Sequence, residues 1–473
     1  MRFMDNVAVA LALLALPLTC GFGPKPAENL GADIIVTSAP VYKPLAALRG
    51  EERFPKGAQL LLLHQGVAHP LLPGFAASAD ANVSFDGNRV LFAGKQNSGD
   101  PWQVWELTLA DHSVRKLIGG ASDVIRPLYL PFGRLVYARR TAQGFQLEAA
   151  GKDAAEALGP IDANAGSTVL AISHIPASVI PADVLQDGRI LFESSFPLGA
   201  GASPELYLVY SDGSGVESYR CDHNAAGSNG RWGGHQLASG DVVFTHGSAL
   251  ARFTSPLAQE AAIVAPQAEY AGALAETSAG AWLLSARADA GSHYALKLWN
   301  PGAAALQTWL KNNAEDIVEP VLVAPRPRPK RHPSALHNWS YANLLALDAR
   351  ESRDSNLKVT PSAVQLETLD GAGNAIVTGR ARVESDGSFF VKAPADKPIR
   401  FALLDQNGAV LRQEHGWFWI RSGEQRICVG CHAGPEHSAA NRVPAVLLRS
   451  TIPVDLSAVH PLASTQSIVP GDN

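Results

Sequence analysis

Between residue 30 and about residue 320 one local pattern recurs six times, and a repeat of this kind restricts the fold more than any single motif does. Each copy sets a turn before a short apolar strand, followed by a polar loop and further strands. The leading strands read DIIVTSA from Asp33, RVLFAGK from Arg89, LVYARR from Leu135, RILFESS from Arg189, DVVFTHG from Asp241 and AWLLSAR from Ala281. Gly87, Gly133, Gly188, Gly240 and Gly280 precede five of them, where a tight turn needs a positive φ, and Gly31 opens the first. Partner strands recur as AQLLLLH, WQVWELTL, FQLEAAG, ELYLVYS, ALARFT and YALKLWN. The spacing of roughly forty to fifty-five residues is that of a four-stranded blade with its loops. One large β-sandwich is the alternative, but six copies in register favour radial stacking. The expected fold is all-β, with a six-bladed β-propeller over residues 30–320.

After Pro320 the pattern gives way to APRPRPKRHPSAL, whose alternating prolines and cations predict an extended polyproline spacer over 321–340. Its charges, Arg326, Arg328, Lys330 and Arg331, read as a solvated linker. A second all-β region, 341–423, contains AVQLETL, AIVTGRARV, SFFVKAP, IRFALLD, AVLRQEH and WFWIR. The turns at Asp370, Ser385 and Asp405 carry hairpin residues, and a small β-sandwich is expected. In the last strand Trp417 and Trp419 face one way, Phe418 and Ile420 the other. Residues 424–473 form the C-terminal segment.

The first twenty residues read as a signal peptide, with Arg2 ahead of an apolar run from Val7 to Leu18 that is too short to span a bilayer. Export to the periplasm or cell surface is expected. Cys20 and the following GFGPKP suit a lipid anchor, although Pro17 and Thr19 fit a cleaved soluble form equally well. Any membrane association would run through that lipid. The 39 basic and 44 acidic residues, a net charge of −5, offer no dense basic face, which excludes nucleic acid as a partner. Four cysteines in an exported chain do not make a disulfide scaffold, and lone Cys221 reads as a packed small hydrophobe.

The remaining pair, Cys428 and Cys431, is followed at once by His432. In Cys-x-x-Cys-His the two thiols add to the vinyl groups of haem and the adjacent imidazole reaches the iron. The expectation is one covalently attached haem c. A zinc site of Cys428, Cys431, His432 and His437 is disfavoured, because adjacent Cys431 and His432 do not match structural zinc spacing and no second cysteine pair follows. A redox disulfide is disfavoured by the lack of a βαβ context. The only methionines, Met1 and Met4, lie in the signal, so a second axial ligand falls to His437, His415 or His460, or the position is open. Arg421, Arg426 and Arg442 flank the motif as partners for haem propionates.

DGSFFVKAPADKPIRFALLDQNGAVL from Asp386, WFWIRSGEQRICVGCH and NRVPAVLL resemble the family of the hydrazine synthase alpha subunit, in its middle region. VSFDGNRVLFAG at Val83 and LQDGRILFES at Leu185 are similar to its propeller part. The resemblance implies a six-bladed propeller followed by a β-rich haem domain. It also implies, for the family's reactive haem, a downstream tyrosine on the iron, with the motif histidine turned toward zinc. No tyrosine follows Tyr341 here, and Glu436 and His437 stand where it would fall. The family's second haem has no counterpart, since this chain holds one motif. Kept architecture without hydrazine chemistry is the expectation.

Three functions follow: a monohaem electron carrier that docks a redox partner protein; a haem-dependent oxidoreductase acting on a small nitrogen or oxygen species; or a propeller that binds a ligand at its channel, with His235 as the candidate residue.

Overall fold

The computed structural model describes residues 30–151, 169–195, 203–219, 230–255, 258–351, 359–414, 416–430 and 440–458. Among them the chain is almost entirely β, with a single short α-helix at Ala445–Arg449, and no helix is long and apolar enough to cross a membrane. Eight four-stranded sheets form, six from residues 33–323 and two from residues 341–455.

The six apolar strands expected to lead each repeat are present as Asp33–Ala39, Arg89–Lys95, Arg134–Thr141, Ile190–Ser195, Val242–His246 and Trp282–Arg287. They are second strands, however. Each is preceded in its sheet by an inner strand that the sequence did not reveal: Ala77–Val83, Val124–Leu130, Val179–Val184, Arg231–Gln236, Glu269–Glu276 and Asp316–Val323. These six pack one against the next in a ring, and the ring returns on itself because Asp316–Val323 pairs with Asp33–Ala39 from the start of the chain. The arrangement is propeller-like.

All six inner pairings shift register through a β-bulge. In five of the inner strands a bulge residue takes a positive φ: Asp80 (60°), Arg126 (53°), Gly233 (67°), Gly272 (92°) and Glu319 (56°). Two are glycine; the other three carry charge and meet at the axis. Arg53, from the 40–58 segment that covers the N-terminal ends of the inner strands, donates to Asp80 and, at 2.6 Å, to Glu319. Arg126 lies 3.7 Å from Asp80 and 3.3 Å from Glu319. Tyr42, Ala47, Leu48 and Phe54 of that segment join the apolar core over this layer.

The proline-rich stretch is not a free spacer. It crosses the turns at the opposite end of three successive sheets, and each turn offers an aromatic ring. Arg326 lies 4.4 Å above Phe85, Arg328 and Arg331 lie 5.9 and 5.6 Å from Phe132, and His332 stacks on Tyr210 at 3.7 Å. Backbone bonds from Arg326 to Phe85 and from Lys330 to Gln186 fix it further. Gly188 makes the close approach possible: its φ is +88°, and a Cβ there would stand 2.1 Å from the Lys330 carbonyl oxygen.

The second domain pairs two sheets around one core that draws Leu344 and Val391 from one and Val364, Leu366 and Leu403 from the other. WFWIR forms no strand, only a single bridge between Phe418 and Ile399. Its side chains still divide as expected, with Trp419 in the propeller core and Ile420 in the sandwich core.

Candidate functional site

Gln425–Cys428 is the edge strand of the sheet it shares with Tyr341–Ala346, Phe389–Pro394 and Val454–Asp455. It runs parallel to Tyr341–Ala346, with Cys428 opposite Ala346. Alternation puts Arg426 and Cys428 on the face toward the sandwich core and leaves Ile427 outward and 64% exposed. Burial pushes the Cys428 thiol pKa up, with the neighbouring Arg426 charge pulling against it. A thiol held neutral in this way differs from the low-pKa thiolate of a redox disulfide centre.

The segment before this strand is gripped by the fourth propeller sheet, at its turn from Tyr210 to Val216. Trp419 Nε1 donates to the Gly213 carbonyl at 2.9 Å. Arg421 donates to the Asp212 carbonyl at 3.0 Å, to Asp396 at 2.7 Å and to His174 Nε2 at 2.9 Å. Glu424 accepts from Gly215 N at 3.2 Å and from Arg421 N at 2.8 Å. Arg426 Nη2 donates to the Val216 carbonyl. Burial lowers the His174 pKa to about 4 and raises that of Glu424.

Two of the three arginines expected to meet haem propionates, Arg421 and Arg442, have protein partners in the structure. Arg421 is 8% exposed and committed to the interdomain contact. Arg442 is bound to the Asp386 carboxylate at 2.7 Å and to its carbonyl at 2.9 Å. His235, the candidate for the propeller channel, is paired with Asp183 at 3.0 Å. Cys431, His432, Glu436, His437, His415 and His460 lie outside the described residues, as do Cys20 and Cys221. Among the described residues no group of three or more His, Cys, Asp or Glu side chains is placed to hold a metal ion.

Two observations test whether these residues fit a haem. Of the twelve large hydrophobics exposed among the described residues, six fall between 427 and 454: Ile427, Val429, Val443, Leu448, Ile452 and Val454. Such a concentration of apolar surface calls for a cover, and a porphyrin is a large apolar one. Arg426 Nη1 is buried beside the thiol with no hydrogen-bond partner. The residues fit.

Residues 345–433 match the family model of the hydrazine synthase alpha subunit middle domain. The solved structure of Kuenenia stuttgartiensis hydrazine synthase aligns with 88% of this chain and 71% of its own, at a TM-score of 0.75 and 16% identity. The chain is a relative of the hydrazine synthase alpha subunit. At that identity the likeness to hydrazine synthase over the whole length is one of fold, and it spans both the propeller-like region and the β-sandwich. TolB from Acinetobacter baumannii aligns with 63% of this chain and 68% of its own, at a TM-score of 0.45 and 12% identity. No curated protein sequence matches the chain.

Proposed function

We propose that this protein is an exported monohaem c-type protein in which six sheets form the blades of a closed propeller and the haem is carried by Cys428 and Cys431, with His432 on the iron. The observation that carries the reading is the Cys-x-x-Cys-His motif starting at the end of an exposed edge strand, within a segment that leaves six aliphatic side chains uncovered. When bound, the haem supplies a one-electron redox centre. The chain's own residues hold its first attachment point against the sandwich core, while the Trp419–Arg426 contacts fix that point relative to the propeller. A haem at a sheet edge is open to a partner, which suits electron transfer to or from a redox protein.

The second reading, a haem-dependent oxidoreductase acting on a small nitrogen species, is favoured by the likeness to hydrazine synthase over 88% of the chain. Protein made in a host that matures cytochromes c is expected to give an alkaline pyridine haemochrome of one haem per chain, lost on Cys428→Ala. Colourless protein from that host would overturn both readings. Carbon monoxide binding then separates them: a low-spin, unreactive ferrous form fits the carrier, and ready binding fits the oxidoreductase. Fractionation with Cys20→Ser tests export and the lipid.

A further inference from the structure

We infer that the joint between the propeller-like region and the sandwich is an acid-sensitive latch, closed while His174 is neutral and released when its ring takes up a second proton. The inference goes beyond the haem reading and does not depend on it. Its basis is a donor–acceptor match across the joint. Arg421 Nη1 lies 2.9 Å from His174 Nε2, and a guanidinium can only donate, so Nε2 must offer a lone pair. The ring also donates to the Ala171 carbonyl, which puts its one proton on Nδ1. A protonated imidazole has no lone pair left. The bond then becomes a contact between two donors that are both positively charged. Little water can relieve it, because the His174 side chain is 16% exposed and its ring packs edge-on against Trp419 at 6.2 Å.

The other charged groups at the joint do not share this response. Asp396 lies 3.6 Å from His174 Nε2 and favours the protonated ring, but it is committed to Arg421 at 2.7 Å and to the Ser422 amide at 3.2 Å. Burial, helped by the Arg421 charge, outweighs it and lowers His174 to about 4. Burial opposes ionisation of Asp212, yet bonds from Ser214 keep that carboxyl below its usual range, so it stays ionised in mild acid. Burial raises Glu424, so its protonation favours the closed joint and works against His174. Arg426, on the Val216 carbonyl, does not titrate. His174 is thus the group whose protonation in mild acid drives release. The segment set free, 416–424, leads directly into the Gln425–Cys428 strand, so acid loosens the propeller's hold on that strand.

The test is hydrogen exchange on the full-length protein at pH 7 and pH 5, with each rate corrected for chemical exchange at that pH. The amides to read are those of Gly215 and Arg421, both bonded to Glu424 at the joint. A ring that titrates near 4 in the closed joint and near 6.5 when free makes opening about 20-fold more favourable at pH 5 than at pH 7. His174→Gln keeps an oxygen acceptor for Arg421 and does not titrate, and comparison with it cancels the Glu424 contribution. Protection of the two amides in the wild type is expected to fall by about that factor relative to His174→Gln, while the amides of Arg89–Lys95 hold. Equal pH dependence in the two proteins overturns the inference. So does a loss in Arg89–Lys95 as large as that at the joint, which is unfolding of the whole chain. If His174→Gln does not fold, His174→Asn takes its place; should neither fold, wild-type Gly215 protection that does not fall by pH 5 overturns it.

Discussion

Replacing Arg53 with methionine removes the centre of the axial charge layer. In the wild type its side chain is 4% exposed, as is that of Glu319, and that of Asp80 is 1% exposed, so solvent screens none of the three. Arg53→Met leaves two carboxylates in a dry layer, with Arg126 as their remaining cation at 3.7 and 3.3 Å. Breaking a buried pair by deleting one partner costs about 3–5 kcal/mol. The residual Arg126 contact puts the expected loss near the lower figure, about 3 kcal/mol. The effect also depends on pH. Burial opposes ionisation of Asp80, but the Arg53 and Arg126 charges outweigh it and hold the carboxyl below its ordinary range. A depressed carboxyl pKa contributes stability above the unfolded value of about 3.9, and that contribution fades as pH falls through the folded value. Urea unfolding followed by tryptophan fluorescence at pH 7 and at pH 3 is the assay. The gap between wild type and Arg53→Met is expected to be widest at pH 7 and to narrow at pH 3, where protonation of Asp80 lessens the orphaned negative charge. A loss under about 1 kcal/mol at pH 7, or a gap that widens in acid, would refute the argument.

Further outcomes follow from the interdomain contacts and the strap. Trp419→Ala empties a site 1% exposed in the propeller core and leaves the Gly213 carbonyl unbonded; a loss of about 3–5 kcal/mol and separate melting of the two domains in calorimetry are expected. His174, with a native pKa of about 4 against about 6.5 unfolded, takes up its proton more readily in the unfolded chain. Stability is therefore expected to fall as pH drops from 6.5 toward 4, and a His174→Gln variant to lose that dependence in acid titrations. Gly188→Ala drives a methyl group into the Lys330 carbonyl and strains a φ of +88°; limited proteolysis is expected to cut faster within 324–332 while the blades stay resistant.

The strands legible in the sequence are those with a continuous apolar run beside a glycine turn, such as Arg89–Lys95 with Gly87 before it. The inner strands were not legible. ASADANV, RWGGHQ and EYAGALAE break alternation with a bulge, with small residues that let neighbouring strands approach, and in ASADANV with an axial charge. Gly233 and Gly272 show the reason: their backbones meet so closely that a Cβ on Gly233 would stand 2.3 Å from the Gly272 Cα. The proline-rich stretch was legible as extended backbone but not as a strap, because Phe85, Phe132 and Tyr210, which hold it, lie more than a hundred residues away in sequence. The Cys-x-x-Cys-His spacing is a property of the sequence itself, and Cys428 is the part of it that the described residues place. The fate of Arg421, Arg426 and Arg442 was not, since proximity in sequence cannot tell which carbonyl or carboxylate folding brings to a guanidinium.

The pairing of Asp316–Val323 with Asp33–Ala39 also sets an order of events. A loop of some 280 residues must close for that pairing, a chain-entropy cost of about 5 kcal/mol before the pairing itself returns anything. The ring stays open until residue 323 is available, and the strap, the grip of the Tyr210–Val216 turn and the Cys428 strand all follow it in the chain. Gln425–Cys428 joins its sheet by parallel pairing to a strand some eighty residues earlier, so it locks late. On the proposed haem reading, Cys428 is thus presented on extended chain, after the propeller-like ring has formed and before the sandwich edge is fixed.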